Sequence, residues 1–441
     1  MTQKFFNRNS NKNNKLLFNA RIIDPKSRSD FKGGILIENG LIKDFGPHLL
    51  NFNNVSDQFE KIDCKGHLLT PGLIDIQVHF REPGVTHKEN ILSGSKSSVA
   101  GGITRVVCQP NTKPVIDSKT VMDIIKDKAR EAYCHIHVYA AISKNMEGNE
   151  LSDMAMLAEN GAVGFTDDGL PVMNSLLMRR AFEYARSLNK PIVQHAEDLQ
   201  LSQGGCINEG KVSFELGVTG IPNISESAMV ARDLQILELT GGHYHVLHVS
   251  TKESLELIKL AKQKGLNVTC EVAPHHFLLN DEAVLTYGTN AKMNPPLRSE
   301  ADRLALIKGL KDGIFDAIAT DHAPHDLESK NKPLSEATFG IVGMETMLPL
   351  SLELYHNYGM DLTEVLALMT NKPAEVIQID AGRIEKGKIA DLTLIDLDKE
   401  WVIETNNFHS KSKNSPFDGR KVKGRAIKTF VNGEMVYELE I

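Results

Sequence analysis

The chain has 441 residues, of which 41% are hydrophobic and 24% are charged, a composition that is ordinary for a globular protein. Its formal net charge of -7, with no clustered basic stripe, argues against a nucleic-acid-binding protein. No segment approaches 18 consecutive apolar residues, so we expect no transmembrane helix and no membrane partner. Five scattered cysteines without a Cys-x-x-Cys pair predict reduced thiols and a cytoplasmic location.

The N-terminal part predicts a tail followed by short β-strands. Residues 1–15 are rich in Asn and Lys and lack the apolar core of a signal peptide, which favours a disordered tail. From residue 16 onward the pattern is typical of short strands and turns. The pair Asn39-Gly40 lies between two apolar runs and indicates a β-hairpin.

Between residues 71 and 379, strand-like runs alternate with amphipathic helical stretches. Strands are expected near residues 74–80, 104–108, 135–142, 162–166, 191–195, 244–249, 267–272 and 317–320. Helices are expected at 120–133, 150–160, 174–189, 225–240, 251–264, 299–311, 345–358 and 362–377. Eight such units predict a parallel sheet closed into a (β/α)8 TIM barrel. There is no Gly-x-Gly-x-x-Gly motif to support a dinucleotide site.

Beyond Gly382 strand signals return, at residues 392–397, 426–431 and 434–439. Neither end of the chain alone has enough strands to bury a core. We therefore predict one small composite β-sandwich built from residues 16–70 and 380–441, flanking the barrel.

The most informative stretch runs from Gly72 to Gly84. Four apolar residues, Ile74, Ile76, Val78 and Phe80, alternate with Asp75, Gln77, His79 and Arg81. Because side chains alternate across a strand, the polar set should share one face. A polar face that ends at Pro-Gly is typical of a barrel strand that carries active-site residues at its C-terminal end.

Other polar residues also lie where predicted strands end. They include Asn111, Asp168, His195, His248, Asp321 and His325. Each has an ordinary alternative explanation, since a single His is more often a hydrogen-bonding residue than a ligand, and Asp167-Asp168-Gly169 alone is typical of a turn. Independent causes would not place all of them at one rim of the barrel. The pattern therefore predicts a metal site with nitrogen and oxygen ligands, such as zinc.

These motifs resemble those of the bacterial type I dihydroorotases, in the amidohydrolase superfamily, over roughly residues 16–440. The motifs are His-Phe-Arg-Glu-Pro-Gly from His79, Gly-Gly-Ile-Thr from Gly101, Pro-Asn-Thr from Pro110, Asp-Asp-Gly from Asp167, His-Ala-Glu-Asp from His195, His-Val-Ser-Thr from His248, Asn-Pro-Pro-Leu-Arg from Asn294, and Ala319 through His325. The resemblance implies a (β/α)8 barrel with a composite β-sandwich, which agrees with the pattern of strands and helices.

The resemblance also implies a role for each site residue. Asp168 would be shared by two metal positions, with His195 and His248 completing one, and His79 and Asp321 serving the other. Asp321 would also be the catalytic proton shuttle. The residues expected to bind substrate are His79, Arg81, Asn111, Asn294, His325 and the backbone of Phe339 and Gly340. Related hydantoinases usually carry a carboxylated lysine at the fourth strand, and this chain has no lysine there.

One position departs from the family pattern. The family has His-x-His on the first strand, whereas this chain has Gln77-Val78-His79. An amide oxygen is a much weaker zinc ligand than imidazole, so Gln77 is expected to be a weak ligand or none. The alternative is that Gln77 only hydrogen-bonds a water molecule or Asp75. We expect one tightly bound zinc ion and a weaker second site.

The reaction implied is the reversible cyclisation of N-carbamoyl-L-aspartate to L-dihydroorotate in pyrimidine biosynthesis, through metal-activated water and the Asp321 proton shuttle. Two alternatives stay open. One is another cyclic-amide hydrolase, such as an allantoinase or a hydantoinase. The other is a non-catalytic scaffold for aspartate transcarbamoylase, which Gln77 motivates. The resemblance also allows a homodimer and a complex with aspartate transcarbamoylase.

Overall fold

The computed structural model describes residues 3–5, 14–51 and 55–440. The strands before the barrel are β1 (Gln3–Phe5), β2 (Lys15–Asp24), β3 (Ser29–Glu38), β4 (Leu41–Gly46), β5 (Glu60–Asp63) and β6 (Leu68–Pro71). The hairpin predicted from Asn39-Gly40 is confirmed. Glu38 pairs with Leu41, and the two turn residues between them, Asn39 and Gly40, both have positive φ.

A closed ring of parallel strands forms the centre of the molecule. Its strands are β7 (Leu73–Val78), β8 (Ile103–Cys108), β9 (His135–Val138), β10 (Ile192–Gln194), β13 (Tyr244–Val246), β14 (Val268–Val272) and β15 (Ala317–Ile318), with a separate short pair β11 (Ile207–Asn208) and β12 (Gly220–Ile221). Phe165 bridges Ala140 on one side and Ile192 on the other, and a bridge from Val78 to His322 closes the ring. The predicted eight-stranded barrel is confirmed.

The helices surround this ring. They are α1 (Ile91–Ala100), α2 (Lys119–Ala129), α3 (Met154–Glu159), α4 (Ser175–Ser187), α5 (Lys211–Leu216), α6 (Ile224–Thr240), α7 (Lys252–Gln263), α8 (Pro274–Leu278), α9 (Ala283–Tyr287), α10 (Glu300–Lys311), α11 (Leu327–Lys330), α12 (Met347–His356), α13 (Leu362–Ala367) and α14 (Asn371–Val376). Side-chain caps define several starts: Asn90 accepts from the Ser93 amide at α1, and Thr251 accepts from the Ser254 amide at α7. No helix among the described residues is long and apolar enough to cross a membrane.

Strands from both ends of the chain join in one sheet. The last strands are β16 (Leu392–Val402), β17 (Lys421–Val431) and β18 (Glu434–Leu439), and the sheet has nine strands in the order β1-β18-β17-β16-β6-β2-β3-β4, with β5 paired to β2. The composite character that we predicted is therefore present. The tail that we expected to be disordered contributes a strand: β1 pairs with β18, because Phe5 packs its ring against Tyr133, His409 and Tyr437. The rest of that tail, residues 1–2 and 6–13, lies outside the described residues.

The first barrel strand does not alternate strictly. A register shift between Asp75 and Val78 marks a bulge in β7 against β8. Ile74 and Ile76 pack in a cluster with Val107, whereas Val78 belongs to the main core. The regular alternation of this stretch is therefore interrupted after Asp75, because a bulge inserts an extra residue and changes the direction in which the later side chains point.

The segment between β16 and β17 returns to the barrel and packs on its rim. The Ser412 hydroxyl donates to the carbonyl of Lys88 at 2.8 Å, and the Asn414 amide donates to the carbonyls of Ala323 and Gly340 at 3.2 and 3.0 Å. The sheet domain therefore supports loops at the C-terminal ends of the barrel strands.

A partly buried carboxylate, Glu345, lies at the junction of the barrel and the sheet domain. Its Oε1 accepts hydrogen bonds from the Ser97 hydroxyl at 2.8 Å and from the amides of His409 and Ser410 at 2.6 and 3.2 Å. It also lines a cavity of about 400 Å³ together with Arg425 and Trp401. Burial raises the pKa of Glu345 to about 7, although these three hydrogen bonds act in the opposite direction.

Candidate metal and substrate site

Three buried side chains converge where consecutive barrel strands end. Asp168 follows the Phe165 bridge, His195 follows β10, and His248 follows β13. One ligand atom from each lies within 4.8 Å of the others. His195 Nδ1 lies 3.5 Å from Asp168 Oδ1 and 2.9 Å from His248 Nε2. A carboxylate and two imidazoles at this spacing are a donor set that suits zinc.

The ring of His195 is oriented by a carboxylate, Glu197. His195 Nε2 lies 2.9 Å from Glu197 Oε2, and a carboxylate can only accept, so Nε2 carries a hydrogen and, in the neutral ring, Nδ1 keeps its lone pair. That lone pair faces Asp168 and His248. Burial lowers the pKa of His195, but Glu197 and Asp168 outweigh it and raise the pKa to about 9. The cluster therefore attracts positive charge, and a metal ion would take the place of the proton.

His79 and Asp321 form a second group beside the first. His79 Nδ1 lies 2.9 Å from the amide oxygen of Asn111, which assigns the hydrogen to Nδ1. Its Nε2 then presents a lone pair 3.1 Å from Asp321 Oδ1 and 3.5 Å from Asp168 Oδ2. Buried Asp75 holds the end of β15, just before Asp321, because its carboxylate accepts hydrogen bonds from the amide and the hydroxyl of Thr320. The structure brings together all five residues predicted to bind metal.

Gln77 lies in the bulge of β7 and is fully buried. Its Nε2 donates to Asp168 Oδ2 at 3.3 Å, and its Oε1 has no hydrogen-bond partner among the described residues. The side-chain amide therefore faces the carboxylate of Asp168 and not that of Asp75, to which Gln77 donates only through its backbone amide. Its free oxygen is a neutral donor where imidazole would be a stronger one.

The residues predicted to bind substrate lie on the same rim. Arg81 follows β7 with φ of 59°, its Nη2 lies 3.5 Å from His325 Nε2, and its buried Nε has no partner among the described residues. The Asn294 amide donates to Glu197 Oε2 at 2.8 Å. In the loop of Phe339 and Gly340, the Gly340 amide donates to the Lys292 carbonyl at 3.0 Å. This N–H is therefore already hydrogen-bonded within the protein.

Sequence reasoning assigned no role to two residues of this site. Glu197 follows His195 by two positions, and its place in the motif from His195 was the available signal. Lys88 reaches the site through His325, with its Nζ 3.2 Å from His325 Nδ1. It lies in a loop after Pro83-Gly84, and no periodic pattern there indicates where the side chain would point.

Comparison with known proteins identifies the family. The model of the dihydro-orotase-like family matches residues 66–254. Proteins named dihydroorotase from Anaplasma phagocytophilum and from Wolbachia sp. subsp. Drosophila simulans are 57% and 58% identical to this chain. The matches cover 96% and 95% of this chain and 95% and 94% of theirs. The chain belongs to the dihydroorotase-like family.

Solved structures agree with this family and its fold. An L-hydantoinase (dihydropyrimidinase) from Arthrobacter aurescens superposes with a TM-score of 0.84 at 26% identity and covers 96% of this chain and 95% of its own. A D-hydantoinase at 22% identity, with a TM-score of 0.83 and coverage of 96% and 95%, supports the fold alone. This dihydroorotase-like chain is thus a cyclic amidohydrolase with an amidohydrolase-type barrel and a small-molecule substrate.

Proposed function

We propose that this protein is a dihydroorotase, which interconverts N-carbamoyl-L-aspartate and L-dihydroorotate in pyrimidine biosynthesis. The observation that carries the proposal is the guanidinium of Arg81, two residues along the chain from His79 and beside a cluster of metal-ligand type. Its buried Nε has no hydrogen-bond partner among the described residues. Dihydroorotate carries a carboxylate on its ring, and a guanidinium is the side chain best suited to bind one through two parallel hydrogen bonds. The relatives named dihydroorotase support the same assignment.

We infer that the metal is zinc, held by Asp168, His195 and His248, with His79 and Asp321 as the second set. Support comes from the donor atoms: the lone pair of His195 Nδ1 faces the cluster because Nε2 is committed to Glu197. When bound, zinc would lower the pKa of a water molecule and polarise the ring carbonyl. Gln77 weakens the second set, so one ion should bind more tightly than the other.

Asp321 is the residue that we assign to proton transfer. In the hydrolytic direction it would accept the proton of the attacking water and deliver it to the ring nitrogen that leaves. Its position supports both steps, since Oδ1 lies 3.1 Å from His79 Nε2 at the edge of the cluster. The reverse reaction closes the ring, releases water and consumes one proton, so lower pH should favour dihydroorotate.

Arg81, Asn111, Asn294 and His325 would orient the substrate. Asn111 also holds the proposed ligand His79 through Nδ1, and Asn294 holds Glu197, the carboxylate that orients His195. Burial lowers the pKa of His325 to about 2, helped by the nearby charges of Arg81 and Lys88, so this ring is neutral at physiological pH. His325 therefore adds no positive charge to that of Arg81.

The test is hydrolysis of L-dihydroorotate by the zinc-loaded protein and by Asp321→Asn. We expect Asp321→Asn to lose several orders of magnitude in kcat while it keeps its fold and most of its metal, because one group serves both proton transfers. Asp153→Asn is the control, since Asp153 is a surface carboxylate that caps α3. A kcat within tenfold of the wild type for Asp321→Asn would refute the role.

The same assay separates the other candidate functions. A hydantoinase would hydrolyse a hydantoin faster than dihydroorotate, and a scaffold would turn over neither. Gln77 is the observation that favours the scaffold, because it replaces the imidazole of the family pattern. Against the scaffold, the cluster and the substrate residues all lie on one rim.

Location and assembly are further proposals. We infer a cytoplasmic enzyme, supported by the five cysteines, which are buried and form no disulfide among the described residues. Homodimer formation and association with aspartate transcarbamoylase stay predictions. Sedimentation of the protein alone and with a transcarbamoylase tests both.

A further inference from the structure

Lys88, His325 and Arg81 form a row of three nitrogen-bearing side chains at the rim of the site. Lys88 Nζ lies 3.2 Å from His325 Nδ1, and His325 Nε2 lies 3.5 Å from Arg81 Nη2. The imidazole therefore stands between two cationic side chains. Only one of its nitrogens can accept a hydrogen bond when the ring is neutral.

The shorter contact decides which nitrogen accepts. An ammonium group has donors only, so His325 Nδ1 accepts from Lys88 and the ring hydrogen lies on Nε2. Burial lowers the pKa of Lys88, and the carboxylate of Asp326, whose Oδ2 lies 3.7 Å from Nζ, acts in the opposite direction and favours the ammonium form. The backbone of Phe339 also bonds the ring as an acceptor, and Nε2 faces that loop, since a Cβ built on Gly340 would lie 3.4 Å from it.

This tautomer has a consequence for Arg81. A protonated Nε2 cannot accept from the guanidinium, so Arg81 Nη2 stays without an acceptor in that direction. If the hydrogen moved to Nδ1, Nε2 would accept from Arg81 and occupy one of the two donors that a carboxylate needs. We propose that Lys88 is a positioning residue that holds His325 in its Nε2–H tautomer and so keeps Arg81 free for the substrate carboxylate. The inference rests on the proposed dihydroorotase function.

The surrounding structure holds Lys88 in this position. Its amide donates to the Val85 carbonyl at 3.1 Å, and its own carbonyl accepts from the Ser412 hydroxyl at 2.8 Å. Its side chain is 18% exposed. The His325 amide donates to Asn414 Oδ1 at 3.2 Å, so the sheet domain anchors both partners of the contact.

Steady-state kinetics of the zinc-loaded protein test the proposal. Lys88→Met should raise KM for dihydroorotate about tenfold and leave kcat within about threefold, because the carboxylate must then displace a hydrogen bond between Arg81 and His325. Lys88→Arg and Lys88→Gln both keep an N–H donor and should restore most of the affinity. Lys411→Met is the matched control, since Lys411 donates to the Thr86 carbonyl in the same loop and does not contact the site.

The variants separate the tautomer from the charge. If the charge of Lys88 acted alone, Lys88→Gln would be as impaired as Lys88→Met. A rise in KM of less than fivefold for Lys88→Met overturns the proposal, as does a Lys88→Gln variant no better than Lys88→Met. A KM effect of equal size in Lys411→Met would also overturn it.

A second readout does not depend on turnover. Nitrogen NMR of the metal-loaded protein labelled at histidine, with His325 assigned by its loss in His325→Gln, should show the hydrogen on Nε2 in the wild type. In Lys88→Met the share of Nδ1–H should increase. A wild-type ring that carries its hydrogen on Nδ1 overturns the inference. A wild type with this tautomer and no dihydroorotate turnover would instead refute the proposed function.

Discussion

Replacing Glu345 by glutamine should make the stability of the protein less dependent on pH. All three hydrogen bonds to this side chain end on Oε1, so a glutamine carbonyl can accept them unchanged. Its amide group would take the place of Oε2 beside the cavity. The substitution therefore removes the ionisable group and keeps its bonds.

The raised pKa of Glu345 fixes the sign of the effect. Between the ordinary value of 4.5 and about 7 the folded protein holds a proton that the unfolded chain has lost. The free energy of unfolding therefore falls as pH rises through this window. The stabilisation that protonated Glu345 contributes is fully present below pH 4.5 and is lost above about pH 7. At about 1.4 kcal/mol for each pH unit the upper limit is about 3 kcal/mol. Because the side chain is only partly buried, we expect roughly half of this.

The assay is the thermal midpoint of the wild type and Glu345→Gln at pH 5 and pH 8. With an unfolding entropy of roughly 2 cal/mol/K per residue, such a free energy corresponds to about 1–2 °C for a chain of this length. Between pH 5 and pH 8 the thermal midpoint of the wild type should fall by about 1–2 °C more than that of Glu345→Gln. Glu404→Gln, an exposed carboxylate at the same cavity, should behave as the wild type. Equal losses in wild type and Glu345→Gln would refute the reasoning.

Three further predictions concern the site. Arg81→Lys should raise KM by at least tenfold with a smaller change in kcat, because an ammonium lacks the paired donors of guanidinium, and a KM within twofold of wild type would show that Arg81 does not bind the carboxylate. Gln77→His should raise the zinc content after mild chelation from near one toward two ions per chain; elemental analysis that finds two firmly held ions in the wild type would contradict this. Gly340→Ala should raise KM severalfold, because φ is 119° and the added Cβ would meet the Ala323 Cβ at 2.6 Å. Gly313→Ala is the control, since Gly313 also has a positive φ, of 72°, but open space around it, so this variant has the backbone strain without the collision. Equal kinetics in the two variants would exclude the collision as the cause.

The convergence of the site was predictable from sequence because it is set by topology. Residues after parallel strands meet at one rim, so Asp168, His195, His248 and Asp321 had to lie near one another once eight strands close. The alternation of strands and helices was sufficient to predict that closure.

Other features differ from the prediction, some because of contacts with distant parts of the chain and one because of a single residue within the helix. The fourth strand, expected over 162–166, is reduced to the Phe165 bridge, and the helix expected over 362–377 divides into α13 and α14. Pro373 explains the division, because it lacks the N–H that would bond to Met369 and its ring excludes that carbonyl. The bulge at Gln77 arises from pairing with β8, which no pattern within β7 reveals.

The pairing of β6 with β16 has a consequence for synthesis of the chain. Roughly 320 residues separate Pro71 from Leu392, although the two are direct partners in the sheet. A ribosome that adds 5–20 residues per second needs about 16–64 s to make them. During this interval the backbone N–H and C=O groups along one edge of β6 have no strand beside them, and such an edge is open to pairing with other nascent chains. Only when β16 leaves the exit tunnel does the sheet gain the strand that covers this edge.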